Sequence, residues 1–192
     1  MSSGTAPIGM GIGSFYNQAF TKDFSRDFQM RVVSIGPNGI LNENDNVYIT
    51  SSVLPGYALA NQQVPFMGLQ FNVPGGGSFP GSESWAVTFR SDAQLNIREK
   101  LIAWQKSIFN AFPHEGDNST GAYAPKGLDT VAEIVILNRN GTTARGMRLI
   151  GIWPVSVGDM TYNTTGNGAV VELATTLAYQ WWWPDDSIQI RD

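Results

Sequence analysis

His114 is the only histidine among the 192 residues, and the chain contains no cysteine. A histidine-dependent catalytic triad needs a nucleophile and an acid beside the imidazole, and nothing near His114 resembles a nucleophile elbow. The lack of thiols also excludes a disulfide framework and thiolate metal sites. We therefore predict that the protein is not an enzyme and that His114 is a solvated loop residue.

Carboxylates that occur close together, Glu43 with Asp45 and Asp185 with Asp186, are the remaining candidates for metal binding. A calcium loop needs a glycine at its sixth position and a glutamate at its twelfth, and that pattern is absent. The glycine-rich residues 9–13 precede no predicted helix and lack the spacing of a phosphate-binding loop. We expect no metal and no cofactor, and interpret these residues as solvated turns, a tail and a flexible arm.

Three consecutive tryptophans, Trp181, Trp182 and Trp183, suggest a platform on which a sugar ring could stack. Adjacent residues of a strand point to opposite faces, however, so the three indoles cannot form one platform. Burial in a core and in an interface explains them better. A carbohydrate-binding β-sandwich remains the alternative from a different functional class.

The chain is acidic and poor in charge. Its formal net charge is −4 and 15% of its residues are charged, against about 25% in typical domains. A protein that grips nucleic acid needs a basic stripe, which this sequence lacks. Low charge fits either a surface that an assembly covers or one kept soluble by neutral polar groups. We expect no membrane anchor, because no apolar run is long enough and the N-terminal residues do not resemble a signal peptide.

Hydrophobic periodicity predicts a mainly β fold with one packed helix. Ser91 and Gln94 form a capping-box pattern and Pro113 ends the periodic stretch, which places the helix at about residues 92–112. The long stretch Leu54–Glu83 is rich in turn residues. We expect it to serve a function or to form a protruding hairpin, because long loops are unusual in compact domains.

The predicted final strand, Ala169–Trp183, has two different faces. Its odd-numbered residues are largely apolar and are expected to face a core, whereas its even-numbered residues are mostly small or polar and are expected to face water. A second strand, Arg145–Trp153, is predicted beside it.

The chain is predicted to divide into three regions: a flexible N-terminal arm at residues 1–25, a β domain at residues 26–183 and a C-terminal tail at residues 184–192. Aromatic residues cluster around the end of the arm, at Phe15, Tyr16, Phe20 and Phe24. Their spacing indicates a segment that docks on another surface.

Several motifs together resemble one protein family. Towards the C-terminus they are Gly151-Ile152-Trp153-Pro154, Val157-Gly158-Asp159-Met160 and Thr176-Leu177-Ala178-Tyr179 followed by Trp181-Trp182. Earlier they are Phe24-x-Arg26, Leu54-Pro55, Val64-Pro65, Phe66-Met67, Asn72-Val73, Trp85-Ala86-Val87-Thr88, Asp92 and Arg98-x-Lys100-x3-Trp104-Gln105. Their order and spacing are similar to the tail tube proteins of T-even-type contractile-tailed bacteriophages. The N-terminus, residues 114–126 and the tail depart from the family pattern, so no contact is transferred to them.

The resemblance implies a β-barrel or sandwich with one helix outside, six copies per ring, and rings that stack into a tube. The implied partners are a tail sheath protein, a baseplate tube initiator, a tape measure protein, a tail terminator, and DNA that passes through the lumen without specific binding. The protein would be assembled in the host cytoplasm and reside in the virion tail. The nearest alternative is the tube or tube initiator of a related injection machine, such as a secretion system or a bacteriocin.

The strand count independently favours a shared sheet. About seven or eight strands are predicted, whereas about 16–18 only just leave an aqueous pore. A pore wide enough for a duplex therefore needs several chains that join into one ring-shaped barrel. The predicted lumen-facing residues are Glu172, Thr176 and Gln180. The resemblance also implies that the stretch Leu54–Glu83 joins successive rings, with an intramolecular lid as the alternative, and the predicted ring-stacking residues are Phe66, Met67, Pro74 and Phe79.

Overall fold

Ten strands and three helices make up the part of the chain that this computed structural model describes, which is residues 11–22, 24–37, 40–41, 43–109, 130–188 and 190. In chain order the elements are α1 Ile12–Lys22, β1 Met30–Pro37, α2 Glu43–Asn46, β2 Ile49–Ser52, β3 Ala58–Phe66, β4 Leu69–Ser78, β5 Trp85–Arg90, α3 Asn96–Ile108, β6 Thr130–Leu137, β7 Thr143–Ile150, β8 Trp153–Val157, β9 Glu172–Ala178 and β10 Trp181–Pro184. The predicted mainly β class is confirmed.

The strands form two four-stranded sheets and one separate hairpin. Sheet A has the order β1-β6-β7-β10, sheet B has the order β2-β5-β9-β8, and β3 pairs only with β4. One core lies between the two sheets and α3, because apolar residues of all three belong to a single buried cluster. The described strands therefore form a sandwich, and no closed barrel exists within this part of the single chain.

Two strand pairs bend together from one sheet into the other. In sheet A, β7 pairs with β10 through Ile150 and Trp181, and in sheet B, β8 pairs with β9 through Trp153 and Ala178. Each predicted long strand, Arg145–Trp153 and Ala169–Trp183, is therefore two strands in different sheets. Corners where strands change sheets are common in orthogonally packed sandwiches.

Gly151 makes this corner possible. Its φ is +65°, and a Cβ there would lie 2.7 Å from Cγ of Gln180 on the adjoining strand pair. Only glycine combines that backbone conformation with so close an approach. The same corner breaks the strict alternation of inward and outward residues that the sequence predicted.

The predicted core face of the final strand is correct only up to the corner. Leu173, Thr175 and Leu177 are buried, as alternation predicted, but Ala178 and Tyr179 are then buried in succession. Trp181, predicted to face the core, is 41% exposed. Trp182, from the predicted polar face, packs against the core instead.

Helix α3 is shorter than predicted and begins differently. It spans 13 residues rather than the predicted 92–112, and its N-cap residue Leu95 has φ 59° and no side-chain cap. The capping box predicted from Ser91 is wrong, because the Ser91 hydroxyl donates to the Asp92 carbonyl. The Asp92 carboxylate instead accepts a hydrogen bond from the Asn96 N–H at 3.1 Å. The buried face of the helix consists of Ile97, Leu101 and Trp104.

The electrostatics of Asp92 reflect this helix-start role. Burial raises the pKa of its carboxyl, but the hydrogen bonds that its ionised form accepts from the backbone and side chain of Asn96 more than compensate. The pKa of Asp92 therefore lies below its usual value. A carboxylate at a helix N-terminus is also favoured by the helix dipole.

The described part of the predicted C-terminal tail lies along sheet A. The Asp185 N–H donates to the Gly146 carbonyl at 2.9 Å, which continues the pairing of β10 with β7. Its carboxylate lies 3.2 Å from Arg148, and that of Asp186 lies 2.7 Å from Arg145. The two carboxylates that the sequence suggested were solvated tail residues are thus ion-pair partners of β7.

The tail also covers apolar surface. Ile188 is 5% exposed, and a Cβ placed at Gly146 would meet the Asp185 carbonyl and Ile188. Val135 pairs with Gly146 of the neighbouring strand. Its side chain is fully buried, although it lies on the opposite side of sheet A from the adjacent core residue Ile134. The tail therefore closes the side of sheet A that faces away from the main core.

Candidate assembly interface

The long stretch predicted at residues 54–83 contains a regular hairpin rather than an irregular loop. Strands β3 and β4 pair from Phe66 and Leu69 at the tip to Ala58 and Ser78 at the root. The tip residues Met67 and Gly68 have φ values of 48° and 77°. Left-handed conformations at both central residues are typical of the two-residue turns that match strand twist.

The hairpin is amphipathic. Cross-strand pairing places Val64 opposite Phe71 and Phe66 opposite Leu69, and the same face continues to Val73. We call Val64, Phe66, Leu69, Phe71 and Val73 the hairpin face. These five side chains are between 38% and 63% exposed.

The opposite side of the hairpin is polar. Gln63 pairs with Asn72 and Pro65 pairs with Gln70 on that side. A two-stranded hairpin is at best marginally stable alone in water. An exposed apolar face on such a hairpin marks an interaction surface rather than a finished exterior.

An aromatic cluster holds the hairpin root. Phe79 stacks edge-on with Tyr57 at 5.5 Å and with Trp182 at 6.4 Å between ring centroids. The Trp182 indole N–H donates to the Gly56 carbonyl at 2.9 Å. The Tyr57 ring occupies the space that a Cβ at Gly77 would need, so a glycine at this position leaves room for the aromatic cluster.

Of the four predicted stacking residues, three are exposed on the hairpin and one lies at its root. Phe66 is 63% exposed and Met67 is 86% exposed, both at the tip, and Pro74 is exposed on β4. Phe79 is half-buried and packs against the core cluster. The structure thus gives Phe79 a role inside its own chain.

The side of sheet B that faces away from the core is polar and small. Its residues alternate with the buried Trp85, Val87, Phe89, Leu173, Thr175 and Leu177. We call this surface the wall face, and it consists of Ala86, Thr88, Arg90, Glu172, Ala174 and Thr176. Arg90 and Glu172 lie directly opposite each other in the ladder, so their charges balance.

The predicted lumen-facing residues fall partly on this surface. Glu172 is exposed and Thr176 is half-buried, and both belong to the wall face. Gln180 is exposed but lies beyond the end of β9, at the corner beside Gly151. The structure therefore brings Glu172 and Thr176 onto one surface and places Gln180 outside it.

Sheet A presents a different exterior. Arg148 pairs with Glu133 at 2.8 Å and with Asp185 at 3.2 Å. The Ser34 hydroxyl donates to the other oxygen of Glu133 at 3.2 Å. This side of sheet A is thus a charged ladder closed by the tail, whereas the wall-face residues of sheet B are exposed or half-buried in the described structure.

The described residues contain no group of three or more acidic or histidine side chains that could hold a metal ion. None of the described helices is long and apolar enough to cross a membrane. His114, the candidate for histidine chemistry, lies outside the described residues.

Sequence reasoning missed most of the hairpin face. Val64, Phe66, Leu69, Phe71 and Val73 alternate with polar residues or proline on either side of the Met-Gly tip, which is a hairpin signal. The prolines in β3 and β4 obscured that signal, because proline within a run argues against a central strand. Both strands are edges, where proline is tolerated.

Known proteins of similar sequence are tail tube proteins. The chain is 24% identical to tail tube protein gp19 of Enterobacteria phage T4 and 23% identical to tail tube protein gp19 of Enterobacteria phage T6. Each alignment spans 162 residues, which is 83% of this chain and 91% of the relative. No protein-family model matches the chain. The resemblance inferred from the motifs is thereby confirmed.

Solved structures of contractile injection systems share the fold. The tube-terminating cap of the anti-feeding prophage has a TM-score of 0.53 at 13% identity, with 85% of this chain and 91% of that chain covered. The sheath–tube complex of an extracellular contractile injection system, PVC, has a TM-score of 0.51 at 14% identity, with 88% and 97% covered. At these identities the likeness concerns the fold alone.

Proposed function

We propose that this chain, a relative of the phage tail tube proteins, is the structural subunit of a tail tube in a virion. Rings of the subunit stack into a conduit through which DNA leaves for the host. The observation that carries this conclusion is the sequence similarity to tail tube proteins, which extends over 91% of the relatives' length. The subunit works by assembly rather than by catalysis.

The ring closes through sheet B. A four-stranded sheet cannot enclose a channel, but its edge strands β2 and β8 can each join a neighbouring copy. Six copies would give a barrel of about 24 strands, and barrels of about 16–18 strands already enclose an aqueous channel. Joining also removes the unpaired edges that would otherwise aggregate. The two edges are short, which limits indiscriminate pairing.

The wall face lines the channel. Its side chains are small or neutral apart from the opposed Arg90 and Glu172, so it offers DNA phosphates no net attraction. The charged side of sheet A is covered by the tail, which supports an outward position for that sheet. At physiological salt the field of Glu172 extends about 8 Å, so it acts only near the wall.

The hairpin joins successive rings. Its apolar face has no partner surface among the described residues, and the root cluster of Tyr57, Phe79 and Trp182 sets its direction. Burying a large apolar side chain contributes about 1.5–3 kcal/mol, and each ring repeats the contact. Many modest contacts then act together through effective concentration.

The remaining partners follow from a tube in a contractile tail. The outward side of sheet A would face the tail sheath protein. The first and last rings would contact a baseplate tube initiator and a tail terminator, and a tape measure protein would occupy the lumen before DNA enters. We expect assembly in the host cytoplasm and residence in the virion tail.

A tube-terminating cap is the second candidate. The fold likeness to the anti-feeding prophage cap, at a TM-score of 0.53, raises this candidate, and the likeness to a sheath–tube complex is nearly equal at 0.51. A cap ends a stack, whereas a tube subunit continues one. The two functions are therefore separated by whether purified rings elongate.

Negative-stain electron microscopy of the purified protein over a range of concentrations tests the proposal. We expect ring-shaped particles at low concentration and tubes of many rings at high concentration. Single rings that never elongate would favour a cap. Particles of single-chain size at every concentration would contradict the tube function.

A further inference from the structure

Helix α1 carries an apolar stripe whose Ile12 and Phe15 side chains are largely exposed in the described structure. The stripe follows the helical spacing of Ile12, Phe15, Tyr16 and Ala19. Ile12 is 87% exposed and Phe15 is 65% exposed. The Phe15 ring lies 6.2 Å from that of Phe24, so the stripe continues into the turn that follows the helix.

A helix of this size needs a supporting surface. It has 11 residues, and isolated helices shorter than about 12–15 residues are marginal in water. No other described element packs extensively against α1. The supporting surface is therefore expected outside the described part of its own chain.

A matching groove lies between α3 and β8. It has a volume of about 420 Å³, and its walls are mainly apolar. Its apolar lining includes Ile102, Phe109, Trp153 and Val155, and the polar side chains of Gln105 and Lys106 line it as well. Phe109 is 44% exposed and Val155 is 50% exposed, so the groove is open within the described structure.

The segment that follows α1 and the groove lie at opposite edges of sheet B. The segment that connects α1 to β1 lies beside edge strand β2, because Asp27, Phe28 and Met30 line one cleft with Ile49–Ser52. The groove lies against β8, the other edge strand, whose Pro154 and Val155 carbonyls accept hydrogen bonds from Gln105 of α3. A ring that joins β2 of one copy to β8 of the next brings the segment after α1 towards its neighbour's groove.

We propose that α1 of each subunit docks in the α3–β8 groove of the adjacent subunit in the ring. The inference rests on the proposed ring and on the continuity of the groove with edge strand β8. The apolar stripe meets a mainly apolar groove, and the helix gains packing that the described elements of its own chain do not supply extensively. Each subunit thus holds its neighbour by an exchanged arm in addition to the shared sheet.

Cysteine cross-linking tests the exchange, because the chain has no native cysteine. Chains carrying Phe15→Cys are mixed with chains carrying Val155→Cys, assembled and oxidised. A disulfide forms only where the two Cα atoms approach to about 7 Å or less. The matched control replaces Phe15→Cys by Asn17→Cys, on the opposite side of α1 from the stripe.

We expect a covalent dimer from the first mixture and its loss in the control mixture. The double variant Phe15→Cys/Val155→Cys should give a ladder of covalent oligomers that ends at the ring. A fast-migrating monomer from the double variant, without dimer from the mixture, would mean docking within one chain and would overturn the exchange. Rings visible by microscopy without any cross-link would overturn it while leaving the tube function intact, whereas absence of rings would overturn both.

Discussion

The wall face and the hairpin face are opposites in chemistry, although both are exposed sheet surfaces of the same subunit. The wall face combines small or neutral side chains with one balanced pair, Arg90 and Glu172. The hairpin face presents five apolar side chains to solvent. The hairpin face therefore has the character of an interaction surface, whereas the polar wall face does not.

In the tube that we propose, this difference separates a channel wall from a joint between subunits. A channel wall must not bind its cargo, so its face stays polar and unattractive to phosphate. A joint between subunits must bind tightly, so its face is apolar and projects from the body on a clamped hairpin. The predictions that follow alter one surface while leaving the other unchanged.

The largest effect is expected from the double variant Phe66→Ser/Phe71→Ser. Both side chains are exposed in the subunit, so folding should be unaffected while each stacking contact loses about 1.5–3 kcal/mol per side chain. Electron microscopy should show rings without tubes. The matched control, Gln63→Ser/Asn72→Ser on the polar side, should form normal tubes. Normal tubes from the first variant would remove the hairpin face from the stacking interface.

A smaller effect on the fold is expected at the hairpin root. Phe79→Ala removes the ring that Tyr57 and Trp182 both contact. Replacing a fully buried phenylalanine by alanine lowers the free energy of unfolding by about 3–5 kcal/mol. Because Phe79 is only half-buried, Phe79→Ala should lower the free energy of unfolding, measured by urea denaturation, by about 2 kcal/mol. Phe79→Leu, which keeps most of the volume, should lose less. Equal stability of both variants and the unaltered protein would show that the cluster does not clamp the hairpin.

Glu172→Lys on the wall face should change the free energy of unfolding by no more than about 0.5 kcal/mol. It converts the wall to a basic one, so DNA release from virions should slow severalfold. Salt should restore the rate, because phosphate contacts weaken as salt rises. Glu99→Lys, an equal charge change on the exposed side of α3, is the control. Unchanged release with the Glu172 variant would place the wall face away from the lumen.

The smallest effect concerns pH and the tail on sheet A. Hydrogen bonds from the Ser187 side chain and backbone, with a further contribution from Arg148, lower the pKa of Asp185 below its usual value. Stability from the ionised carboxylate is therefore fully present above about pH 4 and is lost as pH falls through the folded-state pKa. Asp185→Asn should flatten the decline of Tm on acidification. An unaltered decline would mean that other groups control it.

The alternation of apolar and polar residues correctly predicted which side chains are buried in the regular part of the final strand. The burial of Leu173 and Leu177 and the exposure of Glu172 follow from a period of two residues. Helix α3 was predicted because apolar residues recur at helical spacing, and Ile97, Leu101 and Trp104, which have that spacing, are buried. These features depend on local sequence alone.

The remaining features depend on contacts between distant segments. The corner at Gly151 ends the regular alternation before Trp181, and it brings Gln180 close to a glycine that lies far from it in sequence. Phe79 looked like an exposed anchor in the sequence, yet it packs on Trp182, more than a hundred residues away. The start of α3 uses Asp92 rather than Ser91, a choice between two adjacent cap-forming residues that local pattern does not resolve.

A cryo-EM reconstruction of the assembled tube tests the two-surface account most directly, because it locates both surfaces at once. We expect Glu172 at the innermost radius with Arg148 farther out, and Phe66 buried against the adjacent ring. A tube with Arg148 towards the lumen, or with Phe66 exposed to solvent between rings, would contradict the assignment of one surface to the channel and the other to the joint.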